Sequence, residues 1–318
     1  VRVLIVKTTS MGDVVHALPA VSDLLRERPG TVVDWLVEAP FAAIPRLHPG
    51  VRRVLPLSWR RWRRSLLRGE TWTQIAALRG DLRAQDYGMV IDLQGLVKSA
   101  LWGLQARGPL MGYGWRSLRE PLASLFYSRR ADVSRSLPAV ERCRRLVAAL
   151  TGCAPPTSRP DFGIAAPVPS WTPAGRYAVL VPAASRPEKL WPEADWIAVG
   201  RRLAGDGLEP VVLWGSPAER ERADRVAQAC GGTVPPFLTV ADAAGVLAGA
   251  TRIVGLDTGF SHLGAAFGVA TVGIYCDHDP GLAGITGPGP VASVGGKGQV
   301  PTRDAVLQLI ANQAVSNG

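Results

Sequence analysis

Short runs of β-branched and apolar residues alternate along the chain with longer stretches whose apolar residues return every three or four positions. The run VRVLIV at 1–6 has the length and composition of a buried parallel strand. The polar turn Lys7-Thr8-Thr9-Ser10-Met11-Gly12-Asp13 follows, and then Val14, Val15, Ala17, Leu18, Val21, Leu24 and Leu25 recur at helical spacing. This strand–loop–helix opening predicts the first unit of a doubly wound sheet. Further strands are predicted at 32–37, 51–56 and 89–93, with helical segments between them. A break at 151–173 contains six prolines and reads as an interdomain linker. Beyond it, strands are predicted at 177–181, 210–214, 252–256 and 271–275, and helices at 192–204, 217–229 and 240–248. The Gly- and Pro-rich segment 281–298 reads as irregular. Residues 302–313 read as a closing helix with Thr302 as N-cap and Asp304 in its first turn. Two α/β halves of comparable size are expected, facing a cleft, with ligands beyond the carboxyl ends of the strands.

Composition narrows the class. At 318 residues, 47% hydrophobic and 19% charged, the chain has material for a large core, which excludes disorder, a fibre and a small disulfide scaffold. The uncharged stretch 258–276 is long enough to raise a membrane span, but four glycines with Ser261 and His262 make it helix, turn and strand. The first residues are strand-like, not a basic segment with an apolar core, so no secretory signal is expected. Cys143, Cys153, Cys230 and Cys276 lie far apart with no C-x-x-C pair, which fits a reducing cytoplasm and indicates neither a disulfide framework nor a zinc site. Charge is uneven. Residues 1–160 hold 25 basic and 12 acidic residues, a net +13, whereas the rest hold 11 and 14, a net −3. A first half so basic expects an anionic partner, although an Arg-rich chain also gains solubility this way.

Four strand-end loops and turns offer chemistry. In Ser10-Met11-Gly12-Asp13 there is no G-x-G-x-x-G, so the dinucleotide fingerprint is absent. Asp13 either caps the following helix or serves as a general base with Ser10 as a nearby donor. In Gly255-Leu256-Asp257-Thr258-Gly259-Phe260-Ser261-His262, Gly259 permits close backbone approach. The free N–H groups of the helix start suit a phosphate or diphosphate, with His262 one turn in; the alternative is plain capping by Asp257 or Thr258. Ser185, Arg186 and Lys189 in the loop 182–191 either face a phosphate or are simply solvated. The run Trp59-Arg60-Arg61-Trp62-Arg63-Arg64, if helical, spreads guanidiniums over a broad face beside two tryptophans. A nucleic-acid patch, an anionic-lipid contact and an exposed cationic helix with no partner compete; no nucleic-acid module is visible, so an anionic lipid or a phosphorylated acceptor is the preferred partner and no nucleic acid is expected. Asp277-His278-Asp279 has the form of a metal-holding D-x-D, but Pro280 and Gly281 make it read as a turn.

Taken together, the chain resembles the ADP-heptose:lipopolysaccharide heptosyltransferases, glycosyltransferase family 9. The resemblance is carried by VRVLIVKTTSMGDVVHALPA (1–20), DWLVE (34–38), WRRWRR (59–64), IDLQGLVKSA (91–100), REPLASLFY (119–127), KLWPEADW (189–196), WGSPAERERA (214–223) and LDTGFSHLGAA (256–266), in family order. It implies a GT-B architecture: an acceptor-binding Rossmann-like domain (1–160), a donor-binding one (161–300), and a last helix (301–318) returning to the first. It implies inverting transfer of L-glycero-D-manno-heptose from ADP-heptose to the first Kdo of Kdo2-lipid A, without metal or other cofactor, ADP being the product. The site of action would be the cytoplasmic face of a Gram-negative inner membrane.

By the same resemblance, Asp13 is the base and Lys189 stabilises the leaving ADP. Ser185, Glu219, Leu238, Asp257, Thr258, Gly259 and His262 bind the donor. Ser10, Gly12, Arg60, Arg61, Arg63, Arg64 and Arg119 bind the acceptor. Two departures stand out: Ala184-Ser185 where relatives carry Thr-Thr, and Phe260 where Leu is common. A family member that extends an existing heptose is the nearest alternative; a non-catalytic nucleotide-sugar or anionic-lipid binding module is the other.

Overall fold

The structure is a computed structural model that describes residues 1–184 and 186–315. The chain divides into two compact units, Val1–Gly163 and Ile164–Gly318.

The first unit runs β1 (Arg2–Val6), α1 (Met11–Glu27), β2 (Val32–Glu38), α2 (Ala43–Arg46), β3 (Val51–Leu57), α3 (Trp59–Trp62), α4 (Gly69–Arg83), β4 (Met89–Asp92), α5 (Val97–Gly103), β5 (Leu110–Tyr113), β6 (Arg129–Ala131) and α6 (Ala139–Thr151). Its six strands are all parallel in the order β3-β2-β1-β4-β5-β6. The chain therefore winds outward from β1 through β2 and β3, then returns to lay β4 on the other flank of β1. That reversal leaves a crevice beyond the carboxyl ends of β1 and β4. β1 is buried on both faces, which its unbroken VLIV run demands. Helices α1 and α6 pack together, and a buried Arg144 on α6 donates to Asp23 on α1 at 2.7 Å.

The second unit runs β7 (Tyr177–Val181), α7 (Glu193–Gly205), β8 (Glu209–Val212), α8 (Pro217–Cys230), α9 (Val240–Ala248), β9 (Arg252–Leu256), α10 (Gly259–Ala266), β10 (Ala270–Tyr275), α11 (Pro280–Ala283), β11 (Val291–Gly295) and α12 (Arg303–Val315). Among the described residues its five parallel strands lie in the order β11-β10-β9-β7-β8. The order reverses between β7 and β9, so here too a crevice opens at a defined pair of strand ends. The core joins Trp191 and Trp196, edge to face at 5.3 Å, with Val199, Leu203 and the α12 residues Val306 and Ile310. The Arg252 guanidinium on β9 donates to Ile310 O at 2.6 Å. The closing helix, which the resemblance returns to the first half, thus has this packing within the second unit.

Three strands escaped the sequence reading. β5 and β6 are short and lie toward one edge of the first sheet. β11 falls inside the segment expected to be irregular; its VASVG pairs in parallel with β10, and flanking glycines and prolines hide it. The Trp59–Arg64 run is not a broad helical face either. α3 is a single turn, closed by turns at 63–64 and 66–67.

Candidate active site

In the first unit, the loop after β1 is fixed by the strand that the winding places beside it. Lys7 is buried, and its ammonium donates to Leu93 O, at the end of β4, at 3.0 Å. The Gln94 side-chain oxygen accepts from the backbone N–H groups of both Thr8 and Thr9 at 3.0 Å. Gln94 is itself held, because its N–H donates to the Asp92 carboxylate at 2.8 Å. Asp92 is fully buried at the end of β4 and also accepts from Gly95 N–H, Ser99 Oγ and Tyr127 OH. Burial raises its carboxyl above the ordinary range, against the pull of those donors.

On this braced loop, Ser10 caps α1 and Asp13 lies in its first turn. Asp13 Oδ2 accepts from Ser10 N–H at 2.7 Å and from Ser10 Oγ at 2.9 Å, so the capping role read from sequence is present. Its other oxygen lies 3.9 Å from the Lys7 ammonium, and the side chain is 42% exposed. Burial works against ionisation, but Lys7, the Ser10 donors and His16 outweigh it and hold the carboxyl below its usual range. A half-exposed, ionised carboxylate with one tethered oxygen can accept a proton from an approaching hydroxyl. Gly12 lies half-buried beside it.

The arginine segment leaves the same edge of the sheet. The Glu38 N–H at the end of β2 donates to Thr8 O at 3.1 Å, tying the loop after β1 to the neighbouring strand. The buried Glu38 carboxyl is raised by desolvation, opposed by Arg60, Lys98 and Arg63 nearby. Arg60, Arg61, Arg63 and Arg64 line a 930 Å³ basin together with Arg68 and Lys98. Arg61 and the buried Trp62 indole both donate to the Gln74 side-chain oxygen, at 2.6 and 2.8 Å. Arg119 is exposed just ahead of the turn at Pro121–Phe126 and is not part of that basin's lining.

In the second unit, Asp257 follows β9 and Lys189 follows β7, the two switch-point strands. The Lys189 ammonium lies 2.5 Å from Asp257 Oδ2, and the His262 ring Nε2 lies 3.3 Å from Oδ1. Burial opposes the charge, yet the His262 and Lys189 hydrogen bonds hold the Asp257 carboxyl far below the carboxylate range. Gly255 makes this possible. Any Cβ there would meet Ser261 Oγ at 2.2 Å, and Ser261 instead donates to Leu256 O at 2.7 Å, pressing α10 onto β9. Thr258 is the N-cap of α10, and its buried hydroxyl has no hydrogen-bond partner among the described residues. Gly259 opens the helix, where the first N–H groups lack intrahelical acceptors. A lysine, a ring N–H and a helix N-terminus together suit a diphosphate.

The other donor candidates sit at the end of β8. Glu219 lies in the first turn of α8 and accepts from Gly215 N–H at 2.8 Å. Edge contact between Trp214 and Phe237 at 5.6 Å brings the loop of buried Leu238 beside it. Ala184 packs against the core, and Ser185 lies outside the described residues. Asp277 pairs with Arg186 at 2.9 Å and Asp279 caps α11 through Gly281 N–H, the turn expected from sequence.

Three residues of the first site escaped the sequence reading as candidates: Lys7, Asp92 and Gln94. Their signal was position, at the ends of two buried strands that the winding order makes neighbours.

Residues 75–305 match the model of glycosyltransferase family 9 (heptosyltransferase). The chain is 42% identical to lipopolysaccharide heptosyltransferase 1 of Escherichia coli O18:K1:H7, over 98% of each chain. It is similar to the solved structure of E. coli heptosyltransferase WaaC with ADP, with a TM-score of 0.91, 41% identity, and 98% and 100% of the two chains covered. For WaaC with ADP-2-deoxy-2-fluoro heptose the TM-score is 0.87 at 39% identity, covering 98% and 99%. The two doubly wound parallel sheets are the α/β GT-B fold of these neighbours. The chain belongs to glycosyltransferase family 9, the heptosyltransferases.

Proposed function

We propose that the protein transfers L-glycero-D-manno-heptose from ADP-heptose to the first Kdo of Kdo2-lipid A, with inversion, during lipopolysaccharide core synthesis. The observation that carries the reading is Asp257 ion-paired to Lys189 and bonded to His262 at the mouth of α10, in a chain 41% identical to a transferase solved with ADP. The donor diphosphate meets Lys189, His262 and the N–H groups at Thr258 and Gly259. Asp257 accepts from the heptose hydroxyls, Glu219 from the ribose, and Leu238 lies against the adenine. On the acceptor, Ser10 and Gly12 border the reacting hydroxyl, while Arg60, Arg61, Arg63, Arg64 and Arg119 pair with phosphates and carboxylates.

The chemistry is one displacement. The Kdo hydroxyl oxygen attacks the anomeric carbon and its proton passes to Asp13. The bond from that carbon to the diphosphate breaks, and ADP leaves with the electron pair. Lys189 and the α10 N-terminus offset the charge that ADP gains, so the reading asks for no metal. Among the described residues no helix is long and apolar enough to cross a membrane. The protein works peripherally, at the cytoplasmic face of the inner membrane. The test is transfer from ADP-heptose onto heptose-free Kdo2-lipid A, read as ADP release and product mass. Transfer onto an acceptor that already carries heptose, with none onto the heptose-free one, would assign the chain to the next step.

A further inference from the structure

The turn between α3 and α4 has an unusual tip. Arg68 N–H donates to Ser65 O at 3.0 Å, closing a turn whose two corner residues are Leu66 and Leu67. Corners of exposed turns normally carry Gly, Pro, Asn or Asp. Leu67 is fully exposed and Leu66 is 40% exposed. The turn is nonetheless fastened. Thr71 Oγ1 donates to Ser65 O and the Trp72 indole N–H donates to Leu66 O, both at 2.8 Å. The leucines are thus held outward. Trp72 is 57% exposed, and one helical turn on, along the same face of α4, Ile75 leads into a 280 Å³ groove lined also by Leu101 and Trp102. Around this strip stand exposed Arg60, Arg61, Arg63, Arg64 and Arg68, and Arg79 and Lys98 line the groove.

We infer that the Leu66–Leu67 tip and Trp72 insert into the interfacial layer of an anionic phospholipid bilayer, with the surrounding arginines on its headgroups. Leucine and tryptophan ringed by cations match a surface that is apolar beneath and negative above. A second copy of this chain is a poor occupant, because it would bring another half of net charge +13 against the same arginines. The inference deepens the proposed function, since a lipid-borne acceptor lies at such a surface, but the contact is measurable without any transfer.

The experiment compares the full chain with its Leu66→Ser/Leu67→Ser variant on vesicles of phosphatidylethanolamine and phosphatidylglycerol. The exposed corners tolerate serine, so thermal unfolding stays unchanged. Vesicle affinity falls about tenfold or more, the effect of removing buried leucine side chains. Val168→Ser, an exposed apolar position in the second unit, leaves affinity as it was. Leu67→Glu weakens binding further in anionic than in zwitterionic vesicles. The double variant transfers to a soluble, deacylated acceptor at the wild-type rate, and its KM rises only for acceptor embedded in vesicles. Equal vesicle affinity of variant and wild type, or no vesicle binding by the wild type, overturns the inference. So does a wild-type dimer that the serines dissociate, since the occupant is then a second copy. If vesicle binding is lost as expected but wild type transfers to neither acceptor, the functional reading fails and the docking surface stands.

Discussion

Each unit places a lysine beside an aspartate at the carboxyl ends of its two switch-point strands, yet the two pairs are built in opposite ways. In the first, the cation is the fixed partner. Lys7 is buried and bonded to Leu93 O, and Asp13 sits 3.9 Å away on a side chain 42% exposed. In the second, the carboxylate is the fixed partner, held on one side by Lys189 at 2.5 Å and on the other by His262. The first arrangement presents an ionised carboxylate, suited to taking a proton. The second presents donors at a helix N-terminus, suited to holding an anion. The same pair of residue types offers a carboxylate in one unit and donors in the other because hydrogen bonding fixes Lys7 in the first and Asp257 in the second.

Asp13→Ala is the sharpest way to break this contrast. Turnover is expected to fall by about 10³-fold or more, as for loss of a general base, while calorimetric affinity for ADP stays near wild type. Because the alanine also removes a helix cap, worth about 1 kcal/mol, Asp13→Asn serves as the shape-preserving control and should be equally inactive. Weakened ADP binding with full turnover would move Asp13 out of the chemistry. Lys189→Ala should lower turnover by about 10²–10³-fold, the range for removing one charge stabiliser. A loss below about threefold would leave the contrast without its second half.

Lys7→Met addresses the fixed cation. Lys7 helps hold the Asp13 carboxyl low, so its removal raises that carboxyl, and the acidic limb of the kcat/KM profile moves to higher pH. An unmoved limb would make Lys7 purely structural. The smallest expected effect is on stability. The folded-state carboxyl of Asp257 is depressed below its ordinary 3.8, so its ion pair contributes fully above that pH and less as pH falls further. Wild type should therefore melt above Asp257→Asn at neutral pH, with the difference shrinking below about pH 4. A difference independent of pH would trace the stability to shape instead of charge.

Much of this was legible from residue order. The unbroken VLIV of β1, the polar turn after it and the periodic α1 define a strand–loop–helix unit through local chemistry alone. Asp13 as cap is a short-range relation that sequence spacing carries directly, whereas Asp257 and His262 were legible as residues of one helix start but not as partners of each other. β11 was not legible, because an edge strand of small residues takes its order from pairing with β10 and not from its own composition.

The chain's own order thus determined two α/β halves, a basic first half, and the loops that carry Asp13 and Asp257. Tertiary structure decided which distant residues complete them. Lys7 reaches Leu93, and Lys189 reaches Asp257, across 86 and 68 residues of sequence. Those contacts exist only because the winding lays β4 against β1 and β9 against β7. Sheet order is a global property of how buried strands share one core, and a local hydrophobic pattern leaves it open.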